Sequence, residues 1–331
     1  MKKTWIILII ILILSLVACT RNSEYQGLPP STVDKPATGG STLNEMTDLA
    51  IELGISHENY PKIDGSTSTL SIIWGINEAM YRNDGNDNFL EEASKTVPSY
   101  KLLINKEVDM IVVPYPSSEV LKEADKKKVK LEFFPIAAEA LVFITPKENT
   151  AENISMEEVR NIYLKYGIKN WSELGGPDKK LVPICRNADS GSQAQMDNLI
   201  LKDKKMHSSI KKNYVELTME GMLEQVAFFH SGGFNKKPTN SFALGYTLYT
   251  YLLSMGKMTG IDESLKMLAF EGVVPNEETI ANGSYPLTDG YYAVIRKDLP
   301  KDHSARIISD WLRGDGGKRI LRKLGLIPKE Y

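Results

Sequence analysis

Apolar and polar positions along the 331 residues fall into two alternating kinds of segment. Dense apolar runs of strand length, VDMIVVPY (108–115) and LEFFPIAAEALVFITP (131–146), are rich in β-branched and aromatic residues and closed by proline. The second run predicts two strands split at Pro135. Other segments repeat their apolar residues at helical spacing. TLSIIWGINEAMY (69–81) places Leu70, Ile73, Trp74 and Asn77 to Ala79 on that spacing, with hydroxyl residues just ahead as caps. In SMEEVRNIYLKY (155–166), Ser155 is followed three positions on by Glu158, the two partners of a capping box. ARIISDWLRG and KRILRKLG predict two closing amphipathic helices, with Gly314 and Gly325 as their stops. Strand-length runs alternating with helical segments define an α/β protein.

The N-terminus breaks this pattern. Lys2 and Lys3 precede an apolar run from Trp5 to Leu14 that continues to Ala18, the layout of a secretory signal. The run is shorter than the roughly 20 residues of a membrane span. Leu16-Val17-Ala18-Cys19 has the form of a lipobox, so residues 1–18 are read as a lipoprotein signal peptide and Cys19 as the lipidated residue. Each buried acyl methylene contributes about 0.8 kcal/mol, which makes a palmitate-type anchor with several chains stable. The stretch to residue 48 is rich in Ser, Thr, Gly and Pro and cannot bury enough surface to order itself; 19–48 are read as a spacer. The expected location is the outer face of the cell membrane.

Composition narrows the chemistry. With Cys19 assigned to lipid, Cys185 is the one remaining cysteine, and no intramolecular disulfide can form. The 40 basic and 42 acidic residues leave the chain near neutral, against a nucleic-acid partner. The basic run KEADKKKVK (122–130) reads as a solvated helix end. His57, His207, His230 and His303 stand in unrelated contexts without metal-ligand spacing, and neither a nucleophile elbow nor a phosphate-loop or dinucleotide glycine motif occurs. Cys185 at a strand end, like Trp74, Tyr246, Tyr249 and Tyr251, reads as a packed residue. No enzyme, cofactor or metal is expected.

Three loops between strand-like and helix-like runs carry hydroxyl residues. Asp64-Gly65-Ser66-Thr67-Ser68-Thr69 precedes the helix that starts near Leu70. A helix N-terminus leaves about four N–H groups unpaired beside a partial positive charge, so an oxyanion is stabilised there without a lysine. Ser190-Gly191-Ser192 repeats the device before AQMDNLIL, with Arg186 adding a fixed fork of donors and Asp189 placed to hold the arginine or take a proton from a ligand. Thr96-Val97-Pro98-Ser99-Tyr100 is the third, with Ser99 starting a helix. Each segment alone also fits a capped helix start. Open α/β sheets bind ligands where such loops gather, outside the carboxyl ends of the strands.

Taken in order, YPKIDGSTSTL, INKEVDMIVVPYPSSE, RNADSGSQAQ, FALGYTLYTYL, FEGVVPNEETIANGSYPLTDGYYAVIRKDLP and DWLRGDGGKRILRKLGLIP resemble the phosphate-binding, PstS-like substrate-binding lipoproteins of ABC importers, in the Gram-positive branch. The resemblance implies a two-lobed type II periplasmic-binding-protein fold with two crossing hinge strands, near 140–145 and 285–295. Lobe I would comprise 49–139 plus 291–331 and lobe II 140–290. It places the first phosphate loop on Gly65, Ser66, Thr67 and Ser68, the second-loop serine near Ser99, and an Arg-x-x-x-Ser-Gly-Ser element on Arg186, Ser190, Gly191 and Ser192. Two departures stand out. The acid that follows the arginine is Asp189, with Ala188 at the usual position, and the aspartate after the second strand is replaced within Pro114-Tyr115-Pro116-Ser117-Ser118-Glu119. The implied function is capture of phosphate or a related oxyanion by a monomer that hands it to a membrane permease. A sensor or surface interaction module on the same fold is the alternative.

Overall fold

The computed structural model describes residues 45–82, 90–202, 204–232 and 237–330. The signal peptide, Cys19 and the spacer to residue 44 lie outside them. The central mixed sheet is built from β1 (Ile63–Gly65), β2 (Met110–Pro114), β3 (Leu131–Pro146), β4 (Lys180–Pro183), β7 (Ser241–Leu248) and β9 (Thr288–Arg296) in the spatial order β1-β2-β9-β3-β7-β4. Between them in sequence lie two short strands that pair with each other in parallel, β5 (Cys185–Arg186) and β6 (Val215–Glu216), and β8 (Leu265–Met267), which pairs with the end of β3; β10 (Ile327–Pro328) follows.

Strand β3 organises the molecule. Its residues 131–140 pair antiparallel with β9, and residues 141–144 pair antiparallel with β7, so one 16-residue strand passes from one half of the sheet into the other. At about 3.3 Å per residue it spans roughly 50 Å. From Ile136 onward every residue of β3 is buried, which accounts for an unbroken apolar run instead of an alternating one. The expected break at Pro135 does not occur. Tyr291 pairs with Ala137 and Tyr292 with Pro135, so Ile136 is the extra residue of a bulge. A proline, having no N–H to donate, is tolerated at such a bulge without ending the strand.

The two halves have separate cores. Around the C-terminal part of β3 pack Leu141, Phe143, Tyr163, Trp171, Tyr246 and Phe270. In the other half the period of β2 sorts its side chains between two faces. Met110 and Val112 join Ile72 and Ile76 of α1 (Leu70–Met80), with Ile308 of α7 (Ser304–Arg313) and Leu321 of α8 (Asp315–Lys323). Ile111 and Val113 join Tyr100 and Leu103 of α2 (Thr96–Ile104) and Val120 of α3 (Ser118–Lys126). The Ser155–Glu158 capping box forms, with the Ser155 N–H donating to Glu158 Oε2 at 2.7 Å. Its helix continues from Arg160 into a wider π turn over Asn161–Lys165. Gly325 adopts φ +77°, the left-handed stop expected of it, whereas Gly314 is extended and joins α7 directly to α8. Among the described residues no helix is long and apolar enough to cross a membrane.

Candidate functional site

Three loops meet at the junction of the two halves. The first leaves the carboxyl end of β1. A methyl group on Gly65 would lie 2.6 Å from the Val112 carbonyl oxygen and 2.7 Å from Ile73 Cδ1, so only glycine lets β1 run this close to β2 and α1. Residues Thr67–Thr69 form a 3₁₀ turn leading into α1. Ser66 is buried, Thr67 exposed and Ser68 half-buried. Thr69, a residue the sequence did not single out, ties the loop down. Its hydroxyl donates to the Val112 carbonyl at 2.5 Å and accepts from the Ser66 N–H at 3.0 Å. The hydroxyl oxygens of Ser66 and Ser68 lie 3.1 Å apart.

The second loop enters α2, which starts at Thr96 and not, as expected, at Ser99. Lys95 has φ 76°, a left-handed turn that sets the helix start, and Pro98 sits in the first turn, where a missing N–H removes no intrahelical bond. Ser99 therefore lies inside the helix. Thr96 and Ser99 are 1 % and 0 % exposed, and neither hydroxyl oxygen has a protein partner. Beside them Asp64 is 2 % exposed; one carboxylate oxygen accepts from the Ser94 N–H at 3.2 Å and the other has no partner. Buried polar atoms are paired in the great majority of cases, and three unpaired ones gathered around one helix start make it a candidate site.

The third loop follows β5. Arg186 is 7 % exposed; its Nε donates to the Glu216 carbonyl at 3.2 Å and its Nη2 to the Leu217 carbonyl at 3.3 Å. These bonds fix the guanidinium plane while using two of its five donors. Burial pushes the Arg186 pKa down, offset by the neighbouring Tyr246 and Glu216. Its backbone N–H donates to Tyr246 Oη at 3.0 Å, and that phenol donates to Gln193. Ser190 and Ser192 are buried with hydroxyl oxygens 3.0 Å apart at the start of α4 (Gly191–Gln195). Asp189 is exposed, and its carbonyl accepts from the Val97 N–H at 3.5 Å. Arg186 is held by backbone carbonyls, not by this acid.

The second and third loops touch. A methyl group on Gly191 would sit 2.8 Å from Thr96 Oγ1 and 2.8 Å from Pro114 Cγ. Asn198 Nδ2 reaches across to the Pro116 carbonyl at 2.9 Å. Pro114 itself closes β2, its carbonyl accepting from Tyr100 Oη at 3.0 Å, and Glu119 is exposed in the first turn of α3. A cavity of about 480 Å³ at the same junction is lined by Tyr115, Asp197, Asn198, Lys202, Asp289 and Tyr292 among others. It includes none of the loop hydroxyls, and its two carboxylates suit it poorly to an anion.

At the crossing strands Glu139 is fully buried. Its Oε1 accepts from the N–H groups of Ala140 at 2.9 Å and Thr250 at 3.1 Å, and its Oε2 accepts from the Thr250 hydroxyl. Burial pushes the Glu139 carboxyl up, against the pull of hydrogen bonds from Thr250 and Tyr291. Sequence offered no sign of this contact, because its partners stand 111 positions apart.

Two half-sheets joined by crossing strands, with helix-start loops converging between them, define a two-lobed binding protein. The chain belongs to the PBP-like superfamily: the profile of the PBP superfamily domain matches residues 55–314. It is 24 % identical over 272 residues to the phosphate-binding protein PstS of Borreliella burgdorferi, covering 82 % of this chain and 90 % of that one. Among solved structures, a Clostridium perfringens substrate-binding protein assigned to phosphate ABC transport, determined with bound phosphate, is similar with TM-score 0.60 at 20 % identity. That match covers 81 % of this chain and 98 % of the other. An ABC-type phosphate transport receptor from Vibrio cholerae is similar with TM-score 0.58 at 21 % identity, covering 80 % and 98 %.

Proposed function

We propose that the protein is an extracytoplasmic solute-binding lipoprotein that captures phosphate, or a closely related oxyanion, for an ABC importer. The observation that carries this reading is the meeting of the orphaned Thr96 hydroxyl with Gly191, on the loop that Arg186 begins, with the orphaned Ser99 hydroxyl one helical turn further on. Arg186 supplies charge-assisted donors, and the helix starts at Thr67, Thr96 and Gly191 supply backbone N–H groups. Ser66, Thr67, Ser68, Ser99, Ser190 and Ser192 add hydroxyls. The phosphate-binding roles named for the relatives agree with this chemistry.

Capture is binding without a covalent step. Lobe I takes in 49–139 and 291–331, lobe II 140–290, and the lobes close on the anion by bending at the crossing strands, which excludes water and orders the donors together. The closed form is what the permease reads. Cys19 tethers the monomer to the membrane through lipid. Titration calorimetry of the full chain with phosphate and sulfate tests the reading. Saturable binding of one anion that Arg186→Ala removes is the expected result, and binding of neither anion contradicts it.

A further inference from the structure

Gln195 is the last residue of α4 and is 0 % exposed, yet neither its amide oxygen nor its amide nitrogen has a protein partner. It stands three residues past Ser192, outside the Arg186–Ser192 element, and capture as described above does not use it. A buried amide with both ends unpaired is rare, because the hydrogen bonds it gave to water are not replaced.

Helix geometry gives its direction. Successive residues of an α-helix turn by about 100°. Gln193 faces the core of its own half, where its Oε1 accepts from Tyr246 Oη and its Nε2 donates to Asp197 Oδ1 at 2.9 Å. Gln195, two positions on, stands about 200° round, on the opposite face. Gly191, four positions back, is only about 40° away, and it is the glycine whose added methyl group would lie 2.8 Å from Thr96 Oγ1. On that side α4 packs against β2 of the other half. Helical side chains lean toward the N-terminus, over the turn before their own α-carbon. The Gln195 amide is therefore carried back over Gly191 towards Thr96, whose buried hydroxyl is also unpaired.

We propose that Gln195 is a further ligand-contact residue whose amide bridges the captured oxyanion and Thr96. Its Nε2 donates to an oxygen of the anion, and its Oε1 accepts from the Thr96 hydroxyl across the contact between the halves. The inference rests on the reading that an oxyanion binds at this contact. The three unpaired atoms are complementary to that ligand: the hydroxyl has a proton for the amide oxygen, and the amide nitrogen has protons for a group that accepts. An amide is neutral, so it adds a donor to the site without adding charge.

The test is a double-mutant cycle on the full chain with Gln195→Met, which keeps the length of the side chain, and Thr96→Val, which keeps its shape, read by calorimetry with phosphate and by the Tm of the ligand-free protein. Each single variant is expected to weaken phosphate binding about threefold to tenfold. The double variant should bind no more weakly than Gln195→Met alone, because both substitutions break the same bridge. The ligand-free Tm is expected to hold or rise, since each variant removes an unpaired buried polar group. Should Gln195→Met fail to fold, Gln195→Leu takes its place in the cycle. Unchanged affinity in either single variant overturns the proposal, as do losses that multiply in the double variant. A fall in ligand-free Tm in both single variants overturns it too, because the pair then braces the fold. A wild type that binds neither phosphate nor sulfate overturns the capture reading itself, whereas one that binds with unaltered variants overturns the bridge alone.

Discussion

Gly191 lies so close to Thr96 that a methyl group on its α-carbon would stand 2.8 Å from the threonine hydroxyl oxygen. The two residues sit on loops of different halves of the sheet, and Asn198 Nδ2 spans the same junction to the Pro116 carbonyl at 2.9 Å. Gly191→Ala is expected to wedge them apart. Overpacking of a close contact costs about 1–3 kcal/mol, which weakens anion affinity roughly 5- to 150-fold. Calorimetry reads the affinity, and small-angle scattering with saturating phosphate reads a larger radius of gyration than in the wild type.

Arg186 offers a second test. Lysine keeps the charge but loses the fork that bonds the Glu216 and Leu217 carbonyls. Hydrogen bonds to a charged group are each worth about 1.5–3 kcal/mol, so Arg186→Lys should weaken anion binding by about tenfold to a hundredfold. Calorimetry checks this; an unchanged affinity would mean that the guanidinium only braces β5 against β6.

Buried Glu139 predicts a pH dependence of stability. Burial raises its carboxyl above the ordinary value, so the folded protein holds the proton more tightly than the unfolded chain. Its contribution is fully present below the ordinary carboxylate value and is lost as pH rises through the raised one. Glu139→Gln has no proton to lose. The wild type should therefore lose stability relative to Glu139→Gln across that window, read as the difference in Tm at a series of pH values. Asp289 is raised by burial as well, but it is common to both proteins and cancels in the difference.

Cys185 should be inert. Its thiol is buried, and burial pushes its pKa up to about 11. At pH 8 roughly one thiol in a thousand is then ionised, and the thiolate is the reactive form. Iodoacetamide is expected to leave the native protein unmodified by mass spectrometry and to label it fully in denaturant.

Features carried by local spacing were legible in the sequence. The helix behind Leu70, the Ser155–Glu158 capping box and the left-handed Gly325 all depend on residues within one or two turns of each other. The Pro135 break was misread because a bulge depends on the partner strand, with Tyr291 and Tyr292 on β9 absorbing the extra residue. Thr96 was passed over for Ser99 because the helix start is set by the left-handed turn at Lys95, a residue type that gives no such signal. The Glu139–Thr250 contact joins strands and a helix far apart in the chain, and no local pattern encodes it.

The central claim, that an oxyanion binds at the contact of Thr96 with Gly191 on the loop that Arg186 begins, is tested most directly by calorimetric titration of phosphate into the full chain and into its Arg186→Ala variant. A single saturable site in the wild type that disappears in the variant, while the variant keeps its circular dichroism spectrum, is the predicted result. Absence of phosphate and sulfate binding in the wild type, or equal binding in both proteins, would contradict the account.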